Sequence, residues 1–549
     1  MRRLKAREKQ WIERTAKNGK SFKLVLYNRF FIFLFSAICQ LGLFFALVYS
    51  LAYNSSNAVG LQVACFIFQI VFILYIINKN DRPSLKLGWL LLILLFPAFG
   101  VILYIWGGEG RPTKKMRKRI EKAKAELKAP LNEYRARCAN SLKNTQNKAQ
   151  NSVQDSVQFY LSRHGEYPAY DRGDVQYFSS GESAFAKILE DLERAEKYIL
   201  LEYFIIAHGK MWEAIFKILL EKARQGVQVR IIYDDFGCVL TLPPHYDRYL
   251  ENASENIKCL KFNKVVPFLE VRMNNRDHRK MLVIDGKTAW TGGINIADEY
   301  IAQKQRFGYW KDACLRVQGN AAAEFTGMFF YLWNAFKKTQ EDLNAYLPPL
   351  NKENDCENGQ ENKAENGKDF CVQPYDDCPL DELSVSEMVY VHIIDRAKKN
   401  VWFFTPYLIL DDHLRLSLCK AALRGVDVRI VTPGIPDKKI TYRLTRANYK
   451  ILLKSGVKIY EYTQGFLHSK NVVCDDECAV VGTINLDYRS LYHHFENAVY
   501  FRGCEAVREV KKDFEQAFCV SKPCSGEYPK RRLLGRLFDS VLRVFETLM

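Results

Sequence analysis

Three long apolar runs open the chain: Phe30 to Tyr53, Leu61 to Ile77, and Gly88 to Trp106, the last interrupted by Phe96-Pro97-Ala98-Phe99-Gly100. A helix needs about 20 apolar residues to cross a bilayer, so the first run predicts a transmembrane helix and the other two lie near the lower limit. The 29 residues before the first run are mostly polar, and no small-residue cleavage site follows it, which predicts a retained anchor rather than a signal peptide. Past residue 165 the period changes. Ser180-Gly181-Glu182-Ser183 precedes Phe185, Ile188, Leu189 and Leu192, the i, i+3, i+4, i+7 spacing of an amphipathic helix behind a capping segment.

The same grammar then appears twice. Ala195 to Phe204 is echoed by Ala397 to Tyr407, each a helix end running into a strand. Leu219 to Ile231 is answered by Cys419 to Ile430, where a helix stops at Gly226 or Gly425 and a β-branched strand follows. Apolar strands alternating with helices predict an α/β class with strands covered on both faces. The expected architecture is two similar α/β halves packed as a pseudo-two-fold pair, preceded by an N-terminal transmembrane helical region.

The expected organisation is a basic N-terminus (1–29), a transmembrane or re-entrant region (30–110), a basic linker helix (111–165), half 1 (166–345), an acidic low-complexity linker (346–383), half 2 (384–525) and an amphipathic basic C-terminal helix (526–549). Within the linker, Lys352 to Asp369 holds six acidic residues and three lysines with almost nothing apolar, a composition that predicts disorder. In the tail, apolar positions recur at helical spacing with basic residues between them, as on a helix lying on an acidic membrane.

Charge refines the picture. The net charge is +18, from 80 Lys+Arg against 62 Asp+Glu, which favours anionic partners. Residues 1–29 carry ten Lys/Arg against two Glu, Arg111 to Lys128 nine against two, and Lys79, Arg82 and Lys86 sit between the second and third runs. All three clusters favour the cytoplasmic face, and three full spans would separate the first from the last, so two spans plus a re-entrant or interfacial third segment are expected. The 15 cysteines include no CxxC pair, which argues against a zinc cluster or disulfide framework and for reduced thiols.

The candidate chemistry lies in two H-x-K-x4-D motifs: His278, Lys280 and Asp285, then His468, Lys470 and Asp475. Each has a matched trailer 14 to 17 residues after its histidine, Gly292-Gly293-Ile294-Asn295 and Gly482-Thr483-Ile484-Asn485. On an extended chain i and i+2 share a face, so each histidine points with its lysine. An imidazole can attack phosphorus or donate a proton near neutral pH, while ammonium and amide groups hold phosphate oxygens. Two such sets suit a two-step displacement. The aspartates, at the strand ends, are expected to support the turn or a neighbouring side chain. The other seven histidines, including His493 and His494, share no motif.

These motifs resemble the phospholipase D superfamily over roughly residues 166–520. More narrowly, Asp81-Arg82-Pro83, Leu94-Leu95-Phe96-Pro97 and Gly292 to Tyr300 resemble the bacterial cardiolipin synthase branch. The resemblance implies transfer of a phosphatidyl group from one phosphatidylglycerol to another through a phosphohistidine, with no metal or other cofactor. It also implies His278 as nucleophile and His468 as general acid/base, an order that could be reversed. Lys280, Lys470, Asn295, Asn485, Gly293 and Thr483 would bind phosphate, and Asp312 and Glu496 would orient the histidines. Expected partners are phosphatidylglycerol and other anionic lipids, not nucleic acid, since soluble nucleic acid needs no anchor. One chain suffices for a site, oligomers remain open, and the expected place is the plasma membrane, multi-pass, with the catalytic part on the cytoplasmic face. Lipid hydrolysis, phosphatidylserine synthesis and a non-catalytic scaffold are the rival readings.

Overall fold

The computed structural model describes residues 58–80, 82–96, 112–140, 155–265, 274–337, 340–349, 370–381, 383–525 and 533–544, with a few single positions between them. The predicted first span, the basic N-terminus and the acidic stretch 352–369 fall almost wholly outside these residues. The chain divides into two compact units, residues 1–111 with the loops 243–245 and 263–275, and the remainder.

In the first unit, helix Ala58–Asn78 packs against helix Pro83–Leu95. Ile76, Ile93, Val101 and Tyr104 form a small core, Gln69 Nε2 donates to the Ile93 carbonyl at 2.9 Å, and Lys86 Nζ caps Ile77 at 2.8 Å. The second helix stops at Leu95, and at Gly100 a Cβ would come 2.7 Å from the Ile93 backbone, so a glycine is needed where the chain returns. Phe66, Ile67, Phe68, Val71, Leu87, Leu94 and Leu95 are exposed. Among the described residues no helix is long and apolar enough to cross a membrane, the side chains of Ala58–Asn78 being described without a break only from Phe66 onward.

The second unit holds both α/β halves. In half 1, strands β1 (Asp174–Phe178), β2 (Tyr198–Tyr203), β3 (Gln228–Asp234), β4 (Ile257–Phe262), β5 (Lys280–Ile284), β6 (Thr288–Gly292) and β8 (Cys314–Gln318) form one sheet in the order β1-β8-β6-β5-β2-β3-β4, with β7 (Tyr309–Lys311) outside it. In half 2, β9 (Cys371–Asp377), β10 (Asn400–Phe404), β11 (Asp427–Pro433), β12 (Lys458–Tyr462), β14 (Asn471–Cys474), β15 (Cys478–Gly482), β16 (Glu496–Arg502) and β17 (Ser521–Pro523) run β17-β12-β11-β10-β14-β15-β16-β9, with β13 (Gly465–Leu467) outside. Apart from the added edge strand β17, the order is the same. β2, β3 and β4 are parallel, as are β10, β11 and β12, and the motif strands β5 and β14 run antiparallel to β2 and β10. The repeat seen in sequence is therefore a repeat of topology.

Two stretches differ from their sequence reading. The strand β9 lies within the segment read as linker; Pro374 and two aspartates disguise it, yet it is the fully buried edge of the second sheet, paired with β16. An edge tolerates the proline because one side of the strand needs no ladder donor. The helix Lys114–Asn140, read from its basic run as a linker helix, buries Met116, Ile120, Ala123, Leu127 and Tyr134 in the core shared with helix Ala322–Phe336. Arg135 forks onto the buried Glu324 at 2.9 and 2.6 Å and Lys124 lies over the Tyr331 ring at 4.9 Å, while Lys118, Arg119 and Lys122 are exposed. The tail forms the expected helix, Leu533–Val544, and it docks on helix Lys439–Lys454 through Arg443, which binds Asp539 and the Gly535 carbonyl.

Candidate active site

Each motif histidine sits on an extended segment just before its strand, where the two halves meet. The backbone N–H of His278 donates to Phe495 O at 2.9 Å, and that of His468 to Lys311 O at 2.7 Å. Parallel pairing of β13 with β7 and an isolated bridge between Asp277 and Phe495 complete the seam. Short contacts made in both directions fix each histidine against the opposite half.

The side chains repeat the exchange. His278 Nδ1 lies 2.9 Å from both oxygens of Glu496, at the start of β16 in half 2, and His468 Nδ1 lies 2.6 Å from Asp312 Oδ2 in half 1. An ionised carboxylate only accepts, so each imidazole carries its proton on Nδ1 and leaves Nε2 bare. Thr483 Oγ1 donates to Glu496 at 2.5 Å, and the Ala313 N–H donates to Asp312 at 2.8 Å. Glu496 and Asp312 are buried yet held below the usual carboxylate range. Burial works against both; His278, His494 and Lys280 outweigh it at Glu496, and Lys470 and His468 at Asp312.

Burial pushes His278 down to about 3 and His468 to about 4, with the lysines adding repulsion, so both rings are neutral at pH 7 despite their carboxylates. Lys280 is lowered to about 8 and Lys470 to about 7, again chiefly by burial, against the pull of Glu496 and Asp312. Each ammonium donates to the carbonyl of its own motif histidine, Lys280 at 2.5 Å. Two buried cations close to neutralisation therefore stand beside the two imidazoles.

The other expected residues are placed differently. Asp285 and Asp475, the motif residues expected to support the turn, stand at the far ends of the motif strands. Asp285 accepts from the N–H groups of Glu196, Lys197 and Tyr198 at 2.8 Å each, and Asp475 from Lys398, Lys399 and Asn400 at 2.7 to 2.9 Å. They tie the turn to the neighbouring strand. Gly293 and Thr483, expected at phosphate, serve the carboxylates instead: a Cβ on Gly293 would stand 1.9 Å from Asp312 Oδ1, and Thr483 bonds Glu496. Asn295 is committed at both ends, accepting from Ile205 N–H at 3.0 Å and donating to Tyr300 OH at 2.8 Å. Asn485 is buried with its Oδ1 unpartnered among the described residues.

Sequence reasoning missed the walls of the site. Phe204 meets His278 edge-on at 5.0 Å, and Tyr300, Trp310 and Phe466 lie 5.6 to 5.8 Å from His468. It also passed over His494, whose ring centroid is 5.6 Å from that of His278. His278, His494 and Glu496 offer ligand atoms within 4.8 Å of one another, a donor set able to hold a cation. The crossing of carboxylates between halves had no sequence signal, because nothing in a linear motif says which half its partner comes from.

Two sheets of one topology, each lending a histidine–lysine pair to a shared seam, define a phospholipase D-like fold class. The family model described as "Cardiolipin synthase, PLD-like domain" matches residues 188–333 and 390–518, and a "Phospholipase_D-nuclease N-terminal" model matches 67–108. The chain is similar to an uncharacterised protein of Streptococcus mutans, 41% identical over 87% of this chain and 99% of that one. It is also similar to a cardiolipin synthase of Alkalihalophilus pseudofirmus, 32% identical over 95% and 100%. Among solved structures, the phosphatidylserine synthase of Haemophilus influenzae Rd KW20 shares the fold with TM-score 0.51 and 16% identity, covering 68% of this chain and 93% of that one. The chain belongs to the cardiolipin synthase family of phospholipase D-like proteins.

Proposed function

We propose that this chain is a phosphatidyltransferase that makes cardiolipin from two molecules of phosphatidylglycerol and releases glycerol. The observation carrying this reading is the reciprocal pair of carboxylate-held imidazoles, each with Nε2 free beside a buried lysine. His278 Nε2 attacks phosphorus, forming an N–P bond as the P–O bond to glycerol breaks, and the departing oxygen takes a proton from His468. The second phosphatidylglycerol then returns a proton from its terminal hydroxyl to His468, while its oxygen forms the new P–O bond and the N–P bond breaks. Lys280, Lys470 and Asn485 hold the phosphate oxygens, and the anionic diester supplies the charge that lets His468 carry a second proton. Glu496 and Asp312 fix the imidazole tautomers. No step requires a metal or cofactor.

The N-terminal region is read as a multi-pass anchor in the plasma membrane, with the catalytic halves on the cytoplasmic face. Support comes from the uncharged run 58–77, the exposed apolar side chains of both described helices, and the flanking basic clusters. A single chain holds one complete site. The test is the full-length protein in detergent with labelled phosphatidylglycerol and EDTA, products followed by mass spectrometry. Cardiolipin plus glycerol, lost in both His278→Ala and His468→Ala, is expected; phosphatidic acid alone would replace transfer with hydrolysis.

A further inference from the structure

A third histidine stands at the site, and the chemistry above does not use it. Nδ1 of His494 lies 3.7 Å from Glu496 Oε1 and makes no hydrogen bond among the described residues. The repeat makes its presence informative. Gly292 pairs with Cys314 and Gly482 with Ala498, each partner two residues beyond a carboxylate, so Asp312 and Glu496 are equivalent positions. Two residues before them stand Trp310 and His494, and the Trp310 ring is 5.6 Å from His468, the same separation as His494 from His278. Each imidazole–carboxylate pair thus has an aromatic cover, and in only one of the two pairs can that cover carry charge.

The consequence is electrostatic. The pull of a carboxylate on Nδ1–H sets how readily Nε2 takes a proton. Each carboxylate feels one motif lysine, but Glu496 is drawn on also by His278, Thr483 and His494, whereas Asp312 meets His468 and one backbone N–H. His494 also adds to the groups that oppose a second proton on His278, while the matching place beside His468 holds a neutral indole. Besides Glu496 and His278, His494 acts on the buried Asp487. We infer that His494 is a positioning residue that breaks the symmetry of the pair, assigning covalent attack to His278 and proton transfer to His468.

The assignment rests on the transfer reading above, and the experiment separates the two. Full-length enzyme in detergent is given phosphatidylglycerol carrying labelled phosphate, quenched in alkali during a single turnover, and digested for mass spectrometric mapping of the adduct. Wild type should carry label on His278 alone. His494→Trp, which copies the other half, and His494→Gln, which keeps a polar side chain without charge, should both move part of the label to His468. Their kcat should fall about tenfold with KM nearly unchanged. Label confined to His278 at wild-type kcat in both variants overturns the role of His494, as does wild-type label on His468 or turnover without an adduct. A wild type that converts no lipid at all defeats the transfer reading instead.

Discussion

Both site histidines are held at Nδ1 by a carboxylate that arrives from the opposite half, so the tautomer needed for attack is a product of the seam rather than of either motif. Glu496→Gln or Asp312→Asn keeps the shape but can place an N–H against Nδ1 and turn the imidazole the wrong way round. Loss of about 10²-fold or more in kcat is expected from either, with KM nearly constant. A variant retaining wild-type kcat would remove the carboxylates from the mechanism. The lysines make a second prediction. Lys470 and Lys280 are lowered to about 7 and about 8, and only their charged forms attract a phosphodiester. The ratio kcat/KM, which reports the free enzyme, should therefore decline as pH rises through 7 to 8. The bound diester raises both lysines, so the decline in kcat should appear at higher pH. A pH–rate series in detergent checks this, and coincident alkaline limbs in the two parameters would contradict it.

At the scale of elements, the motif divides into chemistry and architecture. The histidine and lysine enter the site, but the aspartate caps three N–H groups at the other end of the same strand, with φ near +53° at Asp285 and Asp475 alike. Asp475→Ala leaves those groups without their acceptor and should lower unfolding free energy by about 1–3 kcal/mol. The kcat of the protein that remains folded should change little. Denaturant unfolding alongside activity per folded molecule distinguishes the roles, since collapse of kcat at unchanged stability would return Asp475 to the chemistry. The strands and their repeat were legible because β-branched runs after a glycine stop carry a strong period, and the paired motifs because their trailers match. What stayed hidden was non-local. The edge strand β9 is strand through its pairing with β16 and a bridge from Val372 to Tyr170, and the basic helix Lys114–Asn140 shows its buried stripe against helix Ala322–Phe336. The chemistry of Glu496 and Asp312 was legible, but their crossing was not.

At the scale of the whole molecule, the site works against the stability of the fold that builds it. His278, His468, Lys280 and Lys470 all have folded pKa values below their ordinary ones, so the unfolded chain binds more protons than the native one. For the histidines this stability is present above about 6.5 and lost as pH falls toward 4 and 3; for the lysines it grows as pH rises from about 7 toward 10.5. Near pH 7, where activity needs charged lysines, the fold bears their burial with Glu496 and Asp312 only partly offsetting it, since those carboxylates are taken up by the imidazoles. Lys470→Met keeps most of the side-chain volume and removes that cost, so it should raise Tm at pH 6 to 7 while abolishing transfer. Inorganic phosphate, the smallest mimic of the diester, should raise the Tm of wild type in a concentration-dependent way and leave that of Lys470→Met nearly unmoved. Thermal unfolding of the full-length protein in detergent, with and without phosphate, gives all four values. If Lys470→Met melts lower than wild type and phosphate raises both equally, then the buried ammonium is a structural tie to the His468 carbonyl and not an anion site held in readiness.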